Sequence, residues 1–162
     1  MCVAHGIRDG DDLIGSSLGG MVACEISKIR RVRRLFLIGS AIRKEEINPI
    51  LSALRPMMCV APLGWLRASA GMVPLELCQM FGDTESSFLR SMCEAAFQWE
   101  GLGCTETAVY RIHGEFDRVI PPPPGVDLLL DGGHLVAMTH ARECAEFVRS
   151  HTVGTDVPPG AH

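Results

Sequence analysis

No stretch of the 162-residue sequence approaches the roughly 20 consecutive apolar residues that a membrane-spanning helix requires. The opening segment, Met1 to Asp12, is short and polar and lacks the apolar middle region of an export signal. A soluble, cytoplasmic protein with no membrane span is the expectation. An excess of charge of one sign is lacking too. A net charge of -4 gives no general attraction to nucleic acid or to an anionic membrane surface. The seven cysteines (Cys2, Cys24, Cys59, Cys78, Cys93, Cys104 and Cys144) include no C-x-x-C pair and no regular spacing, and their number is odd. That argues against a disulfide framework and for buried, reduced thiols. A metal site would need histidines at close intervals among these cysteines, which His5, His113, His134, His140, His151 and His162 do not supply, so no metal site is expected, and no cofactor is called for.

What is present is an ordinary globular composition, 47% hydrophobic and 21% charged, sufficient for one compact domain with a core. The segment Asp12 to Gly15 reads as a short strand. It is followed by a Gly and Ser turn, and then by Leu18, Met21, Val22, Ile26 and Ile29 at helical spacing. The basic run Arg30, Arg31, Arg33 and Arg34 reads as the solvated end of that helix, where cations complement its dipole. Arg34 to Ser40, with Leu35, Phe36, Leu37 and Ile38 in succession, reads as a parallel strand buried on both faces.

From Lys44 to Gly103 the pattern is helical, with Ile47, Ile50, Leu51 and Leu54 as one stripe and Phe88, Leu89, Met92, Cys93, Ala96 and Phe97 as another. Alternation of strand and helix resumes with strands at Thr107 to His113 and Val126 to Leu130. A final amphipathic helix runs through Met138, Ala141, Ala145 and Val148. The expected architecture is α/β, a mostly parallel sheet of about four strands with a helical insertion over about 42–104, making one domain over 1–150. A flexible tail over 151–162 follows.

Gly15-Ser16-Ser17-Leu18-Gly19 matches G-x-S-x-G between a strand and a helix. Such a turn strains the serine backbone, and the helix start beyond it presents amide donors to a developing oxyanion. Ser17 is thus a candidate nucleophile and the Leu18 amide a candidate donor. A serine hydroxyl needs a base, and the base needs an orienting carboxylate. Asp117 follows the strand ending at His113, and His134 follows Asp131-Gly132-Gly133 beyond the next strand. All three fall at the C-terminal ends of strands, in the order Ser, Asp, His. The bland alternative is that Gly15, Gly19 and Gly20 merely permit a tight turn.

Leu13 to Gly20, Ile112 to Pro121 and Leu129 to Leu135 resemble the nucleophile elbow, acid loop and histidine loop of the α/β-hydrolase superfamily. The resemblance implies a partial α/β-hydrolase fold in which Ser17 is the nucleophile, His134 the general base and Asp117 its partner. The Leu18 amide then donates to the oxyanion, and the helical insertion forms a cap. Trp65, Leu66, Met72, Met80, Phe81 and Trp99 are candidates to line an apolar acyl pocket, or simply core. The implied activity is a serine hydrolase acting on small or medium apolar carboxylic esters or thioesters, with carbon-carbon bond hydrolysis also open to the same machinery.

Only 16 residues precede Ser17, where the superfamily places several strands. The strand before Ser17 is therefore expected to have an open edge, covered in a homodimer or by an N-terminal partner chain. The competing reading is a catalytically weak, hydrolase-like interaction module. A dinucleotide-binding βαβ unit is disfavoured because Gly15, Gly19 and Gly20 do not make G-x-G-x-x-G.

Overall fold

A computed structural model describes residues 6–48, 91 and 94–152. Strand β1 (Asp12–Ser16) leads through Ser17 into helix α1 (Leu18–Ile29), which returns to strand β2 (Arg34–Ile38). A 3-10 turn follows at Lys44–Glu46, and residues 94–98 are helical. The chain then forms strand β3 (Ala108–Gly114), strand β4 (Leu128–Leu130), and helices α2 (Val136–Thr139) and α3 (Ala141–Thr152). The four strands are parallel, in the order β1-β2-β3-β4, so each crossover runs forward along the sheet and β1 lies at an edge.

Side chains alternate across the strands, and each face of β2 has its own core. Leu35 and Leu37 join Met21, Cys24, Ala41, Ile47, Trp99, Leu102 and Ile120 on the α1 face. Ile38 joins Ile112, Val136 and Cys144 on the opposite face. There Phe36 stacks on Tyr110, which in turn meets Phe147 and His151 of α3. All five residues of β2 are buried, as a strand covered on both sides must be.

The elements follow the expected order, with local differences. Strand β2 ends at Ile38 because Gly39 takes a positive φ of 54°, which turns the chain out of the sheet. Strand β4 begins at Leu128, although the Asp127 amide already donates to the Arg111 carbonyl at 2.9 Å. The last helix is two, α2 and α3, meeting at His140. Helix α3 runs to Thr152, two residues into the expected tail.

On α1 the buried residues are Gly20, Met21, Ala23 and Cys24, whereas Val22 and Ile29 of the expected stripe are 37% and 72% exposed. Small residues let this helix lie close on the sheet, and the contact face rotates toward them. The basic run is only in part a solvated helix end. Arg34 is buried and makes a bidentate pair with Asp12 at 2.9 and 2.7 Å, while its other terminal nitrogen donates to the His151 carbonyl. A charge at the start of a buried strand requires such a partner. Among the cysteines, Cys24 and Cys144 are buried and free as expected, but Cys104 is exposed. The expected acyl-pocket residues Trp65, Leu66, Met72, Met80 and Phe81 lie outside the described residues, as do Ile50, Leu51, Leu54, Phe88, Leu89, Met92 and Cys93.

Candidate active site

The turn between β1 and α1 is held by backbone and sterics together. Ser17 has φ 51° and ψ −125°, the one positive φ outside glycine among the described residues. A conformation of this kind costs on the order of 1–3 kcal/mol and persists only when its surroundings enforce it. The Ser17 amide donates to the Ile38 carbonyl at 3.0 Å, tying the turn to the end of β2. A Cβ at Gly15 would lie 2.5 Å from the Gly19 carbonyl oxygen, so the strand and the first helical turn approach too closely for any side chain there. At Gly20 a Cβ would collide with the Ser40 side chain, whereas at Gly19 it would meet nothing within 4 Å. The steric requirement thus falls on Gly15 and Gly20, not on the second glycine of the motif.

Asp117 follows β3 in a tight turn closed by its amide bonding the Gly114 carbonyl at 3.2 Å. His134 lies in the loop after β4, and that loop is drawn against the acid turn. The Glu115 amide donates to the Leu130 carbonyl at 2.8 Å and the Phe116 amide to the Gly132 carbonyl at 2.9 Å. Gly114 allows this approach, since a Cβ there would overlap the carbonyls of Gly132 and Gly133.

The three side chains meet at the C-terminal edge of the sheet. The Ser17 hydroxyl lies 2.8 Å from His134 Nε2, and His134 Nδ1 lies 2.9 Å from Asp117 Oδ2. The other carboxylate oxygen accepts the amides of Val119 and Ile120 at 2.8 and 2.9 Å. The Asp117 side chain is fully buried and that of His134 nearly so. Because the buried carboxylate can only accept, it places the imidazole proton on Nδ1. Nε2 is left with a lone pair directed at the Ser17 hydroxyl. Such an arrangement can draw the proton from the serine as its oxygen attacks an electrophile. The Leu18 amide stands at the first residue of α1, among the helix-start amides that have no partner within their own helix.

The turn after β2, which carries no sequence motif, also borders the site. A Cβ at Gly39 would lie 3.0 Å from the His134 carbonyl and 3.6 Å from Asp117 Oδ2. The next residue, Ser40, is fully buried and donates its hydroxyl to the Ser17 carbonyl at 2.7 Å. Behind it buried Arg111 pairs with part-buried Glu46 at 2.7 Å, and the neighbouring His113 is completely enclosed. Burial, reinforced by the Arg111 guanidinium, holds the His113 imidazole below its ordinary pKa of 6.5. Strand alternation, with Arg111 and His113 on one face of β3, was the available signal for this cluster. No group of three or more potential metal ligands occurs among the described residues.

No protein-family model and no curated protein matches the sequence. Solved structures do match. A hydrolase from Oleispira antarctica superposes with a TM-score of 0.72 at 18% identity, over 94% of this chain and 68% of its own. A thermophilic esterase from Thermogutta terrifontis does so with a TM-score of 0.62 at 18% identity, over 93% and 67%. A meta-cleavage product hydrolase from Pseudomonas fluorescens gives 0.64, again at 18% identity and over 93% and 67%. At that identity the likeness speaks to the fold. The described chain, a parallel sheet with helices on both faces spanning about two thirds of the length of these structures, has a partial α/β-hydrolase fold.

Proposed function

We propose that the protein is a serine hydrolase that cleaves small or medium apolar carboxylic esters or thioesters through an acyl-Ser17 intermediate. The observation that carries this reading is the unbroken hydrogen-bonded run from Ser17 through His134 to Asp117, with Ser17 in a strained turn at the head of α1. In the first step Ser17 Oγ attacks the acyl carbon while His134 Nε2 takes its proton. The carbonyl oxygen becomes an oxyanion facing the Leu18 amide. Collapse expels the alcohol or thiol, which takes the proton from His134. A water then repeats the sequence on the acyl-enzyme and frees the acid and Ser17. Asp117 keeps Nδ1 protonated throughout and stabilises the imidazolium that forms.

The fold is shared with an esterase and with a meta-cleavage product hydrolase, so carbon-carbon bond hydrolysis is the nearest variant of the reading. A panel of p-nitrophenyl esters, thioesters and vinylogous diketones separates the two. A second reading, a catalytically weak interaction module, draws support from the edge position of β1 and from the 58% exposure of Ile14. Under either reading a second copy of the chain or an N-terminal partner chain covers that edge. The reduced thiols Cys24, Cys104 and Cys144 favour the cytoplasm.

The deciding experiment is labelling by a fluorophosphonate probe. Wild type is expected to label and to hydrolyse p-nitrophenyl esters, and Ser17→Ala and His134→Ala are expected to do neither. A folded wild type that takes up no probe would leave the interaction module as the better reading.

A further inference from the structure

We infer that Ser40 is a positioning residue for the oxyanion donor, acting on the peptide unit between Ser17 and Leu18. This rests on the reading of Ser17 as nucleophile. The argument starts from covalent geometry. The Ser17 carbonyl and the Leu18 N–H belong to one planar trans peptide and point in opposite directions, so whatever fixes the oxygen aims the proton. The oxygen is fixed from behind by two donors, the Ser40 hydroxyl at 2.7 Å and the Gly20 amide at 3.0 Å. Hydrogen bonds to a peptide oxygen also polarise the amide, which strengthens its N–H as a donor.

Ser40 itself has little freedom. It is fully buried, and its hydroxymethyl group occupies the space that a side chain at Gly20 would need. Its carbonyl accepts a 3.1 Å bond from Arg111 Nη2, the same nitrogen that pairs with Glu46 at 2.7 Å. Glu46 in turn accepts the Ile42 amide at 2.9 Å, closing a ring around the turn that follows β2. A buried ion pair contributes little net stability over an apolar pair of the same volume. Here its geometry gives it a task, since it anchors the carbonyl of the residue whose hydroxyl grips the elbow. The chain Glu46, Arg111, Ser40, Ser17 therefore reaches the elbow through the Ser17 carbonyl, separately from the Ser17 hydroxyl that meets His134.

The test compares wild type with Ser40→Ala and Ser40→Cys, each checked by circular dichroism and thermal melting. Cysteine restores most of the side-chain bulk but is a weak donor. Both variants are expected to lose about 10-fold in kcat, part of the 10²- to 10³-fold that deletion of an oxyanion donor costs, with KM within about twofold of wild type. A trifluoromethyl ketone, whose adduct with serine carries an oxyanion, is expected to bind more weakly by the same factor as kcat falls. The midpoint of the pH profile is expected to stay in place, because the His134 and Asp117 bonds are untouched. Wild-type kcat in Ser40→Cys, a change in KM alone, or a displaced pH midpoint would each overturn the inference. If wild type neither labels nor turns over, it is the proposed function that fails. The inference is then read from the Leu18 amide by NMR: a displaced Leu18 amide proton resonance in folded Ser40→Ala, with the His134 ring resonances unmoved, upholds it, and an unchanged Leu18 resonance rejects it.

Discussion

Ser17 concentrates the cost of the site in one residue. It holds a backbone conformation that side chains avoid, and its neighbours are constrained to match. Ser17→Ala is expected to reduce ester turnover by at least about 10⁴-fold while leaving the fold intact, measured as kcat beside a melting curve. The glycines around it divide by what surrounds them. Gly20→Ala must displace Ser40, and Gly15→Ala must part the strand from the helix, so both are expected to lower Tm and turnover together. Gly19 faces open space at a helical position, and Gly19→Ala is expected to raise Tm by roughly 2–4 °C, as the helix exchanges its most flexible residue for its best former. The thiols sort in the same way. Burial pushes Cys24 up to about 11, whereas Cys104 is exposed, so a maleimide is expected to modify Cys104 well before Cys24 in the native protein.

At the scale of elements, two charge clusters join neighbouring strands, and they titrate in different ranges. At Asp12, burial raises the carboxyl pKa, but the hydrogen bonds from Arg34 and Arg33 outweigh it and hold the group below its usual 3.8. The stability contributed by this pair is therefore complete above that value and is lost only as the pH falls through the lower native pKa. His113 acts earlier. Its native pKa lies below 6.5, so the unfolded chain binds a proton that the folded chain refuses. Stability is complete above pH 6.5 and declines as the pH falls from there toward the native value. Urea denaturation is expected to give a lower midpoint at pH 5 than at pH 7.5, and His113→Gln is expected to flatten that difference. A midpoint equally pH-dependent in the variant would assign the effect elsewhere.

At the scale of the whole molecule, the sheet is well covered at its centre, and among the described residues no strand pairs with the outer edge of β1. Helix α3 packs over Tyr110, which in turn stacks on Phe36. Ile14, paired in register with Phe36 on the neighbouring strand, remains 58% exposed. An apolar strand with a free backbone edge is a template for pairing. The expected outcome in gel filtration with light scattering is a dimer, or a stable complex with an N-terminal partner chain. Ile14→Lys is expected to shift the species toward monomer. A well-folded, strictly monomeric wild type would count against any pairing at this edge.

The parallel α/β order, the elbow at Ser17 and the placement of Asp117 and His134 beyond strand ends were all legible in the sequence, because strand and helix periodicities and the glycine pattern around a serine are local properties of the chain. Less legible were the elements whose ends depend on partners: the exit of β2 at Gly39, the division of the last helix at His140, and the rotation of α1 onto Gly20 and Cys24. Arg34 looked like a surface cation because nothing in the sequence brings Asp12 and the His151 carbonyl to it across 22 and 117 positions. Ser40 gave no signal, being one small polar residue at the end of an apolar run. Its place behind Ser17 arises only when β1 and β2 lie side by side and α1 packs closely enough for Gly20 to meet it. Residue type and spacing thus determined which groups could do chemistry, and the packing of parallel strands determined which of them touch, because hydrogen-bond partners far apart in the chain become neighbours only through the register of the sheet.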